Sequence, residues 1–299
     1  MTVVLAPAKL TTSLRIVGRR GDGYHLLEAE MVAVDLADRL ELTEGEGLEV
    51  VGAGILKGSS LMKAVPKGPD NLVAKALSAV SKRARVNLEK HIPPGAGLGG
   101  GSSDAAAVLR WAGCMDTGLA VSLGADVPFC LHGGRAHVSG IGDVVADKGF
   151  IPEVFTLLIL EFGVSTGEVY KAFDELGGPS RSPGGRYVSN DLEPAALAVE
   201  PRLAPWREWL ARASGSRPVL AGSGSTWFVR GRLQARSRWF TTDPDASRIA
   251  KGATPGAGSA SCGSIPPATA KSRTPGISRV SLQGEQGWLV EVSSVPSGW

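Results

Sequence analysis

Apolar and polar positions alternate first with a strand period and later with a helical one. Thr2 to Leu5 and Leu14 to Val17 read as short strands on either side of an Ala6-Pro7-Ala8-Lys9 corner, and Glu28 to Leu36 is a third apolar run with few helix signals. Between them, Gly18 to His25 is rich in turn residues. From Asn71 to Arg83 the spacing becomes helical, with Leu72, Ala76, Leu77 and Val80 on one face. Ala105 to Leu109 reads as a second helix, for which Ser102, Ser103 and Asp104 offer N-cap side chains. Val154 to Leu160 is uninterrupted apolar sequence, as expected of a buried strand, and Trp227-Phe228-Val229 follows a Gly-Ser-Gly-Ser turn at 222 to 225. The pattern predicts an α+β protein of two domains, residues 1–150 and 151–299. Beyond residue 231, Gly, Ser, Pro, Thr and Ala dominate, and apolar periodicity returns only at Gly287 to Val292. That composition predicts irregular or disordered chain across 231–299 and is also consistent with an altered reading frame.

The chemistry concentrates in one stretch: Pro93, Pro94, Gly95, Ala96, Gly97, Leu98, Gly99, Gly100, Gly101, Ser102, Ser103 and Asp104. Glycines adopt positive φ without a Cβ in the way, so successive backbone N–H groups can converge on an anion at the positive end of the helix that follows. Phosphate is therefore the ligand this loop suggests, although a glycine-rich connector would have the same composition. Gly95-x-Gly97-x-x-Gly100 meets the dinucleotide fingerprint, but two prolines separate it from the preceding strand and no acidic residue ends a second apolar strand at the expected offset. A Gly-Lys-Ser/Thr phosphate loop and the His-Arg-Asp and Asp-Phe-Gly segments of protein kinases do not occur.

Whole-chain properties narrow the classes further. With 299 residues and a net charge of +3, and with no run of Lys or Arg, a nucleic-acid partner is not indicated. Cys114, Cys130 and Cys262 form no CxxC pair, which argues against a zinc site and for a reducing compartment. Neither a signal peptide nor a membrane span is visible, so the expected location is the cytoplasm and no membrane partner is expected.

Pro7-Ala8-Lys9-Leu10, Gly23-Tyr24-His25, the loop at 93 to 104, Leu123-Gly124-Ala125-Asp126-Val127-Pro128-Phe129 and the Gly-Ser-Gly-Ser turn together resemble the GHMP small-molecule kinases, over roughly residues 3 to 229. The resemblance implies a mixed sheet with helices followed by a ferredoxin-like domain, with ATP and Mg²⁺ as cofactors. It implies phosphorylation of an alcohol on a small molecule carrying a cytidine diphosphate, by a monomer or homodimer. Lys9 and Asp126 would be catalytic, the carboxylate accepting the hydroxyl proton. Pro93 through Ser103 would hold the phosphates, Asn71 and Lys90 the adenosine, and Ser102 or Ser103 the metal. Tyr24 and His25 would clasp the cytosine, with Thr11 and Thr166 also on the substrate side, near Val164, Ser165 and Tyr170. Thr11 stands where the family usually has asparagine, and the chain between Asp104 and Asp126 is shorter than in most members, which predicts a clipped helix. Asn190-Asp191-Leu192-Glu193-Pro194 matches a family segment and reads equally as a helix-capping turn. Taken alone, Asp126 before Val-Pro is a turn former and Lys9 a surface lysine. Two rivals stay open: another GHMP kinase acting on a sugar, homoserine or mevalonate, and a nucleotide-binding protein without catalysis.

Overall fold

The computed structural model describes residues 1–178, 189–233, 277–282 and 284–298. Its first sheet takes β1 (Thr2–Arg19), β2 (His25–Thr43), β3 (Gly47–Gly52), β4 (Arg85–Lys90), β5 (Arg135–Gly140) and β6 (Val144–Asp147). The order is β3-β4-β2-β5-β6 with β1 also on β2, and only β3 and β4 are parallel. Four helices accompany it: α1 (Leu72–Ala79), α2 (Gly100–Trp111), α3 (Thr117–Leu123) and α4 (Val127–His132). The second sheet contains β7 (Val154–Leu160), β8 (Val219–Leu220), β9 (Trp227–Arg230), β10 (Ile277–Leu282) and β11 (Glu285–Ser293), ordered β10-β11-β7-β9-β8 and antiparallel throughout. It carries α5 (Thr166–Glu175), α6 (Glu193–Val199) and α7 (Leu203–Ser214).

Three expectations need correction. The corner at Ala6 to Lys9 is a register shift between Pro7 and Ala8 inside one continuous strand, the kind of place where a sheet tolerates a proline. Helix α1 stops at Ala79, because Ser81 takes a positive φ of 51° and breaks the spiral before Arg83. Irregular chain does not extend through residue 293: β10 and β11 pair with each other, and β11 runs along β7 from Gly287 to Ser293. Expectations for 234–276 lie outside the described residues.

The cores explain these choices. Helix α2 is buried from Ser103 to Leu109, and three consecutive alanines let its backbone approach β1 and α4 closely. In the second domain Trp206 and Trp227 are fully buried, and the Trp227 indole N–H donates to the Leu203 carbonyl at 3.1 Å. Fully burying one such large apolar side chain stabilises the fold by about 1.5–3 kcal/mol. Two segments stitch the sheets together. Leu14 exchanges backbone hydrogen bonds with 189–191, and after β11 the chain returns to the first sheet, where Val295 N–H donates to the Ala33 carbonyl at 2.9 Å.

Candidate functional site

A cavity of about 880 Å³ lies where the two sheets meet. Its walls are the loop at 93 to 101, the β1–β2 hairpin tip at 22 to 25, the start of α5 and the turn at 222 and 223. Lys9 enters from β1. Its Nζ lies 3.2 Å from Asp126 Oδ2 and donates to Thr11 Oγ1 at 3.2 Å. Asp126 precedes α4 as its N-cap residue, yet its side chain makes no capping hydrogen bond, so the carboxylate remains available to the cavity. Lys9 is buried to 6% exposure, whereas Asp126 keeps 33%.

The glycines of the loop are required in a way their composition did not reveal. Gly95, Gly97 and Gly99 have φ of 67°, 75° and 67°. A Cβ on Gly97 would lie 1.9 Å from the Ala221 carbonyl oxygen, and one on Gly99 would lie 2.7 Å from Cγ of Lys9. These positions are thus filled by protein on the side where a side chain would grow. Val164 and Ser225 N–H donate to the Gly95 carbonyl and Thr226 N–H to that of Ala96, so the loop is clamped to the second domain through its oxygens. Helix α2 begins at Gly100 with Gly99 as a left-handed N-cap that has no side chain. Its first N–H groups have no intrahelical acceptor and carry the positive end of the helix dipole.

The family model for the GHMP kinases N terminal domain matches residues 71–146. A 4-diphosphocytidyl-2-C-methyl-D-erythritol kinase of Dinoroseobacter shibae is 37% identical over 246 residues, covering 75% of this chain and 83% of that relative. Another of the same name, from Desulfitobacterium hafniense, is 35% identical over 257 residues, covering 75% and 85%. The chain belongs to the 4-diphosphocytidyl-2-C-methyl-D-erythritol kinases. A crystal structure of a 4-(cytidine 5'-diphospho)-2C-methyl-D-erythritol kinase superposes with a TM-score of 0.59 at 31% identity, covering 83% of this chain and 94% of that one. The α+β architecture of two domains is that of the family.

Of the residues expected in such a kinase, the cavity brings together Lys9, Thr11, Tyr24, His25, Asn71, Lys90, Pro93 to Ser102, Asp126 and Thr166. Ser103 is not among them. Its hydroxyl donates to the Pro7 carbonyl at 2.6 Å, and Ser102 is the hydroxyl that lines the cavity. Neither serine caps α2, since both lie within it. Lys90 lines the cavity and is also tied into the fold. Its side chain is buried, and the ammonium donates to Asp38 Oδ2 and, at 2.6 Å, to Asp104 Oδ2. Burial opposes the Lys90 charge, but Asp104 and Asp38 outweigh it and push its pKa up. Asp104, expected as a cap, is driven well above the usual carboxylate range by burial. Asn71 caps α1, accepting from Val73 N–H at 2.9 Å, and donates to the Pro66 carbonyl at 2.7 Å, so its amide is committed to the fold.

Four other residues shape the site: Asp38 and Asp174 carried no recognised sequence signal, whereas Asn190 and Ser223 lie in segments that the resemblance includes. Asp38 accepts from the N–H groups of His91 and Ile92 at 2.5 and 2.8 Å, besides Lys90, and so joins β2 to the approach of the glycine loop. Asp174 on α5 receives His25 Nε2 at 2.7 Å. Asn190 donates to the carbonyls of Leu220 and Gly222, which holds the second glycine turn, and accepts from Leu192 N–H in a local turn ahead of α6, whose N-cap is Leu192. Ser223 meets Thr166 hydroxyl to hydroxyl at 2.8 Å. Tyr170 faces the cavity, and burial, with a contribution from Asp126, raises its phenol to about 12. Cys130 is likewise raised to about 12 by burial and Asp126, which makes it inert as a nucleophile. Tyr24 is exposed at the lip, where the Arg20 guanidinium lies 5.6 Å from its ring centre.

Proposed function

We propose that this chain transfers the γ-phosphoryl group of ATP to the 2-hydroxyl of 4-diphosphocytidyl-2-C-methyl-D-erythritol, in the non-mevalonate isoprenoid pathway. The observation that carries the reading is the uncapped Asp126 carboxylate with Lys9 at 3.2 Å, in the cavity that also receives the start of α2. Phosphoryl transfer requires chiefly alignment and charge stabilisation. Asp126 accepts the proton as the substrate oxygen attacks phosphorus. Lys9 balances charge on the carboxylate and on the transferring group, and Thr11 holds the ammonium in place. The glycine loop and the first N–H groups of α2 bind the phosphate oxygens. Tyr24 offers an exposed ring for the pyrimidine and His25 a polar edge.

Among the described residues no group of three His, Cys, Asp or Glu could hold a metal ion. Magnesium fits nevertheless, because it commonly rides on nucleotide phosphates and needs only one or two protein oxygens. Ser102, in the first turn of α2, supplies one. When bound, the ion would neutralise phosphate charge. The described residues of one chain supply all of these groups, which fits a monomer as well as a homodimer. Among the described residues no helix is long and apolar enough to cross a membrane, and the free thiols of Cys114 and Cys130 suit the cytoplasm. The test is a coupled assay of ADP release with ATP, Mg²⁺ and 4-diphosphocytidyl-2-C-methyl-D-erythritol. Substrate-dependent turnover on the order of 1–100 s⁻¹ is expected, and ADP release no faster than without the acceptor alcohol would refute the reading.

A further inference from the structure

His25 belongs to the first sheet, but its imidazole sits in a socket made by the second domain. Three residues on one face of α5 form that socket: Tyr170 and, one turn further on, Phe173 and Asp174. The Tyr170 ring lies 4.9 Å from the imidazole at a 35° tilt, the Phe173 ring meets it edge-on at 5.8 Å, and the Asp174 carboxylate is 2.7 Å from Nε2. Asp174 also pairs with Arg19 at 3.4 Å, at the opposite foot of the same hairpin, where Arg19 and His25 are strand partners. A carboxylate only accepts, so Nε2 must carry hydrogen whatever the charge of the ring. In the neutral ring Nδ1 is then the lone-pair nitrogen, and no partner for it occurs among the described residues. We propose that Asp174 is a positioning residue for pyrimidine recognition: it fixes the seat and tautomer of His25, so that the ring presents an acceptor to the exocyclic amino group of cytosine. Uracil has a carbonyl at that edge and would meet lone pair with lone pair. The inference rests on the reading of Tyr24 and His25 as the pyrimidine site.

The test compares Asp174→Ala, Asp174→Asn and Tyr24→Ala in the full chain. Measured are kcat, KM for the cytidine substrate and for ATP, inhibition by CDP and by UDP, and the ¹⁵N signals of His25, assigned with a His25→Gln variant. Asp174→Ala should raise substrate KM roughly 10-fold, with kcat and ATP KM within about twofold, as expected for loss of one charge-assisted hydrogen bond that acts on binding alone. It should also narrow the preference for CDP over UDP and mix the two His25 tautomers. Asp174→Asn keeps an acceptor oxygen and should recover most of the affinity and the single tautomer, which a purely steric role would not require. Unchanged substrate KM and an unchanged tautomer in Asp174→Ala, alongside a raised KM in Tyr24→Ala, would overturn the role of Asp174 while leaving the pyrimidine site standing. Unchanged KM in both variants would overturn the site as well. Should Asp174→Ala not fold, Asp174→Asn decides: a His25 signal no longer protonated at Nε2 together with native KM and CDP preference would refute the proposal.

Discussion

Two lysines of the first domain each face carboxylates, and their surroundings assign them opposite tasks. Lys90 lies between Asp38 and Asp104 with all three side chains at 3% exposure or less. Lys9 is nearly as buried, but its partner Asp126 keeps a third of its side chain open to the cavity. In the closed cluster Asp38 is saturated by Lys90 and two backbone N–H groups, and such a cluster joins β2, β4 and α2 into one unit. In the open pair, among the described residues neither a helix cap nor a second cation occupies the carboxylate. A lysine–carboxylate contact is therefore informative about chemistry only when one partner still has somewhere to send a proton.

Substitutions can break each side of this contrast. Asp126→Asn keeps the shape and removes the acceptor, so kcat should fall on the order of 10²- to 10⁴-fold while ATP affinity hardly changes. Single-turnover and equilibrium binding measurements on one preparation check it, and near-native kcat would move Asp126 to a structural role. Asp38→Asn should instead act on the fold. Breaking a buried ion cluster costs about 3–5 kcal/mol, which lowers the melting temperature by on the order of 10 °C in a chain of this size. A calorimetric melt reads this directly, and an unshifted melt would show that the closed cluster contributes nothing.

Two smaller effects sharpen the comparison. Thr11→Ala frees the Lys9 ammonium from one hydrogen bond and should lower kcat roughly 2- to 10-fold with the melting temperature unmoved. Asp104→Asn should be the mildest, within about 1 kcal/mol at neutral pH, because the Oδ1 atom of Asp104 is buried without a partner and the cluster holds two carboxylates for one ammonium. Its signature is the pH dependence. In the folded chain the Asp104 carboxyl titrates well above its ordinary value, with burial the main cause, so its favourable contribution is complete in acid and is lost as pH rises through the raised value. Asparagine has no such slope. From about pH 4 upward, Asp104→Asn should gain stability relative to the parent chain in urea titrations at successive pH values, and parallel curves would contradict a raised Asp104.

Much of this is legible in the sequence itself. The glycine loop, Lys9, Asp126 and the Tyr24-His25 pair are contiguous motifs, and contiguous residues keep their meaning because the backbone alone brings them together. The buried strands at 154–160 and 227–229 were equally plain. The partners were not legible: Asp38 sits 52 positions from Lys90 and Asp174 lies 149 from His25, and each looks like an ordinary polar residue of its strand or helix. The setting of Lys90 was hidden for the same reason, since nothing local announces that two distant carboxylates will enclose it. The strands after residue 276 were obscured by their neighbours, whose composition hid a hairpin that only β7 completes.

The hydrogen bond from Ser293 N–H to Asp35 spans 258 positions. Burial raises the Asp35 carboxyl while that backbone donor opposes the rise, so its setting is finished only when the returning segment arrives. At translation rates of about 5–20 residues per second, this leaves the segment of β2 near Asp35 without its final neighbour for roughly 10 to 50 s after synthesis. Contacts of such long sequence separation slow folding, because chain closure must be accomplished before any reward is collected. During birth on the ribosome, then, the stretch of β2 between its pairings with β5 and β4 must wait for the returning chain to cover it, and through that interval its backbone groups are open to mispairing.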